Sequence, residues 1–251
     1  MAQARTGCFL LRIEDTDTTR ARPHWEAQIY DDLGWLGIHW ETPVLRQSQN
    51  LHRYNEALMQ LAERGLIYPC SCKRRDIRAA LEAPQEGVAH PGPYPGTCRA
   101  RPMSSRQPGD ALRLDMARAL DTLTTLPAFT EQGPDHAGHH TLDPARIQND
   151  TGDAVLGRKE IETVSYVMAA VIDDARQNIT HVVRGHDLYQ TTFLQILLQS
   201  LMGLATPIYC HHILIRDDAG KRLAKRDDAR AIAKYRADGA SPMDIRALVG
   251  L

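Results

Sequence analysis

Two charged positions in this sequence have the residue types that bind a small charged ligand. Residues 9–13, FLLRI, form a mostly apolar run that predicts a buried strand, and Glu14 follows at its end. Arg184 leaves the end of a second, β-branched run at residues 179–183. Ligands bind outside the carboxyl ends of strands in open parallel α/β sheets, because the loops there form a crevice. Both positions are therefore candidates for a ligand site at a sheet edge.

The acids around Glu14 also have a structural interpretation. Glu14, Asp15 and Asp17 lie within four residues, and their carboxylates repel one another unless a cation or a hydrogen-bond donor is supplied. A bound ammonium group or a nearby arginine would satisfy that need. For Asp15 and Asp17 we favour capping of the helix predicted from Pro23. For Glu14, still at the strand end, we favour a functional role.

Arg184 and a basic run near the end of the chain also have structural explanations. A salt bridge to Asp173 or Asp174 is the structural alternative for Arg184. Residues 221–226, KRLAKR, carry four cations in six residues after a strand predicted at 208–215. Such a loop could clamp a triphosphate, although a solvated surface turn is the more common explanation of a basic run.

Three cysteines lie in a segment rich in proline and glycine. Cys70 and Cys72 are separated by one residue, and Cys98 follows on a Gly/Pro turn, a pattern that suits tetrahedral zinc. His90 is the conventional fourth ligand, and three unrelated cysteines are the alternative. The same segment is locally basic, which fits either an RNA phosphate patch or a solvated face; its cations are Lys73, Arg74, Arg75, Arg78, Arg99 and Arg101.

A second group of metal-binding residue types is found in residues 132–145, which are rich in Gly, His and Asp and predict a loop. His136, His139 and His140 are in this stretch. Nothing in the sequence fixes a ligand geometry for them, so we interpret them as exposed loop histidines rather than as a metal site.

Composition limits the class of protein. The 251 residues include 30 basic and 31 acidic side chains and carry a net charge of -1, so contact with RNA would need a local patch. The sequence has no run of eighteen apolar residues and no apolar signal core. Five cysteines, an odd number, fit a reducing compartment and a metal better than disulfides. We expect a cytoplasmic protein with no membrane contact.

In combination these segments resemble the glutamyl branch of class I aminoacyl-tRNA synthetases. The matching segments are FLLRIEDTDTTR at residues 9–20, RGHDL at 184–188, and RLAKR at 222–226 in place of the KMSKS signature. Within that branch the chain is most similar to the short members that lack an anticodon-binding domain. Their zinc site matches Cys70, Cys72, Tyr94 and Cys98, so the resemblance implies Tyr94 as the fourth ligand.

The resemblance implies an α/β fold with a Rossmann-like parallel sheet. It divides the chain into residues 1–67 and 151–230 as the two parts of the catalytic domain, 68–150 as an inserted zinc-binding, acceptor-binding-like subdomain, and 231–251 as a helical tail. The first strand and the helix with the HIGH-type signature of the family have no counterpart in the sequence. We therefore expect the chain to be shortened at its N-terminus and inactive as written.

The resemblance also implies an enzyme that activates glutamate with ATP and Mg²⁺. Glu14 should hold the substrate ammonium, while Tyr166 and Arg184 hold its carboxylates, the arginine as a bidentate pair. Lys225 should stabilise the charge that develops as pyrophosphate leaves. The ATP loop is implied to comprise Arg222, Leu223, Ala224, Lys225 and Arg226.

The implied acceptor is the queuosine base of tRNA(Asp), and we expect the enzyme to be a monomer. Two alternatives stay open at the level of sequence. One is a shortened glutamyl-tRNA synthetase that charges tRNA(Glu), and the other is a zinc-containing tRNA-binding protein without catalysis.

Overall fold

The structure is a computed structural model that describes residues 2, 6–17, 21–82, 94–159, 163–215 and 231–250. The chain divides into two compact units. The first contains residues 1–49 and 214–251, and the second contains residues 50–213. The four-part division expected from the sequence has other boundaries than this split and stays a prediction.

In chain order the described residues form nine strands and nine α-helices. The strands are β1 (Leu10–Ile13), β2 (Glu41–Arg46), β3 (Ile67–Cys70), β4 (Ala111–Leu114), β5 (Ala128–Glu131), β6 (Gly138–Thr141), β7 (Val155–Gly157), β8 (His181–Gly185) and β9 (Ile208–His212). The helices are α1 (Pro23–Trp35), α2 (Leu51–Glu63), α3 (Arg74–Glu82), α4 (Met116–Asp121), α5 (Pro144–Asp150), α6 (Tyr166–Arg176), α7 (Tyr189–Leu201), α8 (Ile232–Ala237) and α9 (Pro242–Leu248). Single 3₁₀ turns lie at Gln47–Asn50, Met103–Ser105 and His186–Leu188.

In the first unit, β1 pairs in parallel with β2, and α1 connects them. The acids after β1 do not cap α1, so the capping prediction for Asp15 and Asp17 is wrong. The N-cap is Arg22 in extended conformation, and Pro23 supplies the first helical residue, which needs no N–H partner. The Asp15 carboxylate instead accepts the Ser48 amide at 2.8 Å and the Ser48 hydroxyl at 2.6 Å. A residue distant in sequence thus supplies the donors that this carboxylate needs.

The second unit contains one antiparallel sheet and one sheet of mixed direction rather than the single parallel sheet expected. The order β3-β4-β7 is antiparallel throughout. The order β6-β5-β9-β8 joins β5, β9 and β8 in parallel and adds β6 as an antiparallel edge. The connection between β5 and β6 is short, and a short connection permits only a hairpin, since parallel neighbours need a long crossover.

The loop predicted for residues 132–145 is wrong in its second half. Gly138–Thr141 forms the strand β6, and α5 begins at Pro144. The sequence GHHT has no alternation of apolar and polar residues and no strong strand former apart from its final threonine. Its strand conformation comes from pairing with β5, an example of context overriding weak local preference.

The apolar core of the second unit lies between its sheets and helices. Its largest fully buried side chains include Tyr54, Leu61, Leu66, Leu112, Leu114, Met116, Leu142, Leu156, Met168, Ile196, Leu197 and Tyr209. The Tyr54 hydroxyl donates to the buried carboxylate of Asp173, at 3.0 and 2.9 Å from its two oxygens, and so ties α2 to α6. Ser165 caps α6 through the Met168 amide. Within the described part of the chain, every helix is too short or too polar to cross a membrane.

Gly133 follows β5 by two residues and lies directly against the backbone of β9 at His211. A Cβ at this position would lie 2.2 Å from the His211 carbonyl oxygen and 2.6 Å from Oε1 of Glu131. The first neighbour is backbone and cannot move without distorting β9. Glycine is therefore required here by space.

We expect Gly133→Ala to destabilise the protein by about 2–3 kcal/mol, because the added methyl group overpacks against the backbone of β9. The measurement is the urea midpoint of unfolding. The matched control is Gly34→Ala, since Gly34 lies in α1 and an added Cβ meets nothing within 4 Å. That control should gain about 0.5–1 kcal/mol from helix preference. Equal midpoints for the two variants would contradict the packing argument.

Candidate functional site

Arg184 lies in β8 directly beside His211 of β9, as the parallel register of the two strands requires. Its Nε donates to Nε2 of His211 at 3.0 Å. Its Nη2 donates to the Thr192 hydroxyl at 2.7 Å and to the Leu188 carbonyl at 3.3 Å. No described carboxylate pairs with Arg184, so the salt bridge to α6 that was its structural alternative is not formed.

The hydrogen bonds of Arg184 decide which edge of the guanidinium faces a ligand. A guanidinium has five N–H groups, one on Nε and two on each Nη. The three on Nε and Nη2 are used, whereas Nη1 donates no hydrogen bond to a described residue. A carboxylate would therefore meet Nη1. The bidentate geometry expected from the sequence uses Nη2 together with either Nη1 or Nε, and the N–H groups of Nη2 already have protein acceptors.

His211 is held from its other side by Glu131. Nδ1 of His211 lies 2.6 Å from Oε2 of Glu131, and Oε1 accepts the amides of His211 at 2.8 Å and Gly133 at 2.6 Å. Both side chains are almost fully buried. Because the Nε of Arg184 is always a donor, Nε2 of His211 must be the acceptor, and the proton of the neutral ring must be on Nδ1. The chain of contacts is thus carboxylate, imidazole, guanidinium.

The charges of this buried pair are set by its surroundings. Burial lowers the pKa of His211, and the charge of Arg184 lowers it further, although Glu131 acts in the opposite direction. Burial would raise the pKa of Glu131, but hydrogen bonds from His211 and Gly133 outweigh it and hold that pKa below its ordinary value. At neutral pH the pair is therefore a carboxylate and a neutral imidazole.

Glu131 and His211 were not recognised from the sequence. The available signal was an ionisable residue at or near the end of each of two partly apolar strand segments, AFTE and IYCHH. A polar residue in such a segment is as often solvent-facing as buried, so the signal is weak. Only the pairing of β5 with β9 brings the two residues into contact.

Two of the histidines predicted to be exposed are half-buried around Tyr189, so that prediction is wrong for them. His136 stacks on Tyr189 at 4.1 Å between ring centroids, and His140 meets the same ring edge-on at 5.9 Å. His139 is exposed, as expected. Among the described residues these histidines form no metal-binding cluster. His136 and His140 pack against Tyr189, the first residue of α7, instead.

The other predicted substrate residues lie in separate parts of the chain. Glu14, in the first unit, pairs with Arg12 at 3.2 Å and is about 43% exposed. Tyr166 is the first residue of α6 in the second unit and is 36% exposed. Residues 221–226, with Lys225, and His90 lie outside the described residues. Convergence of Glu14 with Arg184 in one pocket therefore stays a prediction.

A cluster of three thiols forms where β3 ends. The Sγ atoms of Cys70, Cys72 and Cys98 all lie within 4.8 Å of one another, and Cys72 and Cys98 are 3.5 Å apart. The hydroxyl of Tyr94 lies 3.4 Å from the sulfurs of both Cys70 and Cys72. Sulfurs on one zinc ion, each with a bond of about 2.3 Å, are separated by a little under 4 Å in a tetrahedron. The four groups are therefore spaced as a tetrahedral metal site requires.

The oxygen of Tyr94 is turned towards the thiols by its surroundings. It accepts the Cys98 amide at 2.8 Å, and the Arg113 guanidinium lies 3.9 Å from the centre of its ring. Burial would raise the pKa of Cys98, but hydrogen bonds from Tyr94 and the Ser71 amide outweigh it and lower that pKa to about 6. Burial raises the pKa of Cys72 to about 11.

Asp153 anchors the strands beneath this cluster. Its buried carboxylate accepts the Tyr68 hydroxyl, the Arg99 guanidinium at 2.8 Å and the Met116 amide at 3.0 Å. Tyr68 and Arg99 are close in sequence to Cys70 and Cys98. One carboxylate thereby fixes both chain segments that supply the thiols.

The fold and these sites define the class of protein. The sequence profile for tRNA synthetases class I (E and Q), catalytic domain, matches residues 1–251. A solved glutamate tRNA ligase from Elizabethkingia meningosepticum, in complex with its amino acid, superposes with a TM-score of 0.71 and 26% identity. That match covers 98% of this chain and 54% of the solved one, so the chain spans about half its length.

Curated relatives narrow the class to one family. The glutamyl-Q tRNA(Asp) synthetase of Rhodobacter capsulatus is 55% identical over 258 residues, which cover 100% of this chain and 91% of the relative. Those of Symbiobacterium thermophilum and Nocardia farcinica are each 37% identical, with 96% and 99% of this chain and 75% of each relative covered. The chain belongs to the glutamyl-Q tRNA(Asp) synthetase family, a family of ligases within class I.

We expect the stability of the protein to fall as the pH is lowered from 7 to 5. Burial keeps the pKa of His211 low in the folded chain, so the unfolded chain binds a proton first, below about pH 6.5. The charges that face this ring are those of Glu131, Arg184 and His186. Urea midpoints at pH 7, 6 and 5 measure the slope, which His211→Asn should reduce.

The matched control for this slope is His212→Asn, which changes the adjacent, exposed histidine of the same strand. It should keep the pH dependence of the unaltered chain. If His211→Asn shows the same slope as this control, His211 is not the group responsible.

Proposed function

We propose that this protein activates glutamate with ATP and transfers the glutamyl group to the queuosine base of tRNA(Asp). The observation that carries the proposal is the Arg184 guanidinium, which is fixed at three of its five N–H groups and whose Nη1 makes no hydrogen bond to a described residue. The names of the curated relatives support the acceptor, and the amino-acid complex of the solved ligase supports the first substrate.

Recognition of glutamate is proposed to rest on opposite charges at its ends. Arg184 meets a carboxylate through Nη1, and the exposed hydroxyl of Tyr166 donates to a carboxylate oxygen. Glu14 takes the ammonium, in exchange for its contact with Arg12. A cation at the site favours glutamate over glutamine, because an amide gains less from a charged donor than a carboxylate does.

Adenylate formation needs positioning and charge neutralisation rather than a protein nucleophile. The glutamate carboxylate attacks the α-phosphate of ATP, and pyrophosphate leaves with the negative charge that develops. Lys225, with Arg222, Leu223, Ala224 and Arg226 in the same loop, is proposed to stabilise that charge. Mg²⁺ accompanies ATP in this class of reaction.

Zinc is the metal that the cysteine cluster is proposed to bind, with Cys70, Cys72, Cys98 and Tyr94 as ligands. Three sulfurs and a phenolic oxygen at these separations suit a closed four-coordinate site. Such an ion would take no part in the reaction. It would cross-link the end of β3 to the turn that carries Tyr94 and Cys98, a segment with little apolar core of its own.

Transfer of radiolabelled glutamate distinguishes the proposed reaction from its alternatives. Labelling of tRNA(Asp) that contains queuosine, and not of tRNA(Asp) without it, is the expected result. Charging of tRNA(Glu) would instead assign a glutamyl-tRNA synthetase. Glutamate-dependent ATP–pyrophosphate exchange is measured beside it, with the 251-residue chain and with a form extended into the upstream reading frame. Binding of tRNA without exchange in either form would support a non-catalytic protein.

We expect Arg184→Ala to weaken binding of L-glutamate by about tenfold to a hundredfold, because one charge-assisted contact is lost. Isothermal titration calorimetry gives the dissociation constant, and the melting temperature is recorded beside it. Arg146→Ala is the control, since Arg146 is an exposed arginine of α5 in the same unit. A fall in stability with unchanged glutamate affinity would show that Arg184 is a structural residue.

We expect about one zinc ion per purified chain, and loss of that zinc in Cys72→Ser. Tyr94→Phe removes only the phenolic oxygen, so zinc should be extracted from it at lower chelator concentration than from the unaltered chain. Metal content is measured by mass spectrometry. Cys8→Ser is the control, because Cys8 is exposed and outside the cluster. Full zinc retention by Tyr94→Phe would exclude the tyrosine as a ligand.

A further inference from the structure

A buried acid, Glu131, contacts His211, which in turn contacts Arg184. Glu131 is about 2% exposed, and a buried carboxylate is costly unless its oxygens are fully hydrogen-bonded. Three donors satisfy it, namely two backbone amides and Nδ1 of His211. The two amides are fixed by the β5–β9 pairing and by Gly133, so the carboxylate has a single orientation. The proposed reaction makes no direct use of this group.

The orientation of Glu131 determines which nitrogen of His211 carries the proton. A carboxylate at Nδ1 requires a proton there, and Nε2 is then left with its lone pair. That lone pair accepts Nε–H of Arg184 at 3.0 Å. In the opposite tautomer two N–H groups would face each other, and the contact would be lost.

The guanidinium plane is in turn fixed by acceptors on two of its edges. His211 holds Nε, while the Thr192 hydroxyl and the Leu188 carbonyl hold Nη2. An unrestrained arginine side chain has many rotamers, and ordering it on ligand binding costs conformational entropy. Fixing the side chain in advance removes that cost and leaves Nη1 in one position.

We propose that Glu131 and His211 are positioning residues that set the direction of the Arg184 guanidinium and thereby its affinity for a substrate carboxylate. The inference rests on the proposed function, since the ligand is taken to be glutamate. Neither residue is among the proposed glutamate contacts, which are Glu14, Tyr166 and Arg184. Their effect is transmitted through one tautomer of one ring.

We call the two contacts Glu131–His211 and His211–Arg184 the relay. Three variants test these two contacts separately. Glu131→Gln is nearly isosteric, but its amide nitrogen faces Nδ1 and forces the other tautomer. His211→Asn places an amide near Nδ1 and can keep the bond to Glu131, while it loses the acceptor for Arg184. His211→Gln places its side-chain oxygen near Nε2, so it can keep that acceptor and loses the bond to Glu131.

The matched control is Tyr209→Phe. Tyr209 is in the same strand as His211. The change removes the buried hydrogen bond that Gln199 donates to its hydroxyl, and it keeps the ring beside the Arg184 guanidinium.

We expect Glu131→Gln and His211→Asn to weaken L-glutamate binding by about tenfold or more. His211→Gln should retain more affinity than His211→Asn. Tyr209→Phe should lose stability and keep the affinity of the unaltered chain. Calorimetry with L-glutamate and L-glutamine supplies the dissociation constants.

Nitrogen-15 NMR of the unaltered protein tests the relay without any variant. The expected signals are a neutral His211 protonated on Nδ1 and an Nε–H of Arg184 that exchanges slowly with solvent. A His211 protonated on Nε2 would overturn the inference even if the variants fail to fold. So would unchanged glutamate affinity in both Glu131→Gln and His211→Asn.

Failure of the proposed function has a different signature. If the unaltered chain does not bind L-glutamate while the NMR signals are as expected, the substrate assignment is wrong. Glu131 and His211 would then position Arg184 for a different carboxylate ligand. If glutamate binds tightly and the NMR signals differ, the function stands and the positioning inference is wrong.

Discussion

The contact between Glu131 and His211 is the interaction on which the candidate site depends. A carboxylate without solvent must be matched by donors, and here the match leaves only one tautomer and one ring orientation for the histidine. Nε of Arg184 donates to this ring, so the ring orientation also sets the orientation of the guanidinium. Nη1 is the only guanidinium nitrogen of Arg184 that makes no hydrogen bond to a described residue. Its direction is therefore decided by Glu131, which is two contacts away.

The cysteine cluster is also positioned by a buried carboxylate, that of Asp153. Asp153 is as buried as Glu131, and it too is satisfied by a backbone amide and by side chains from separate elements. Through Tyr68 and Arg99 it fixes the segments that bring Cys70 and Cys98 together. In both places a buried acid is used as a fixed point, because its need for several donors leaves it almost no freedom to move.

Much of the local structure and the family could be predicted from the sequence. The strand expected at residues 9–13 is observed at 10–13, and the thiols and the glutamyl-synthetase segments were recognised from residue type and spacing. These features are encoded over a few neighbouring residues. The strand β6 was missed because GHHT has almost no preference of its own, and the capping of α1 was misassigned because Asp15 finds its donors at Ser48.

The sequence alone determined which chemical groups are available: an arginine after a β-branched run, three thiols near a tyrosine, and acids after the first strand. Only the tertiary structure decided how those groups are used. It placed Glu131 and His211, 80 residues apart, within 2.6 Å, and it occupied the Nε and Nη2 edges of Arg184 that a bidentate ligand would need. Hydrogen bonds between neighbouring strands depend on sheet order and register, and these are set by packing of the whole unit rather than by any short segment.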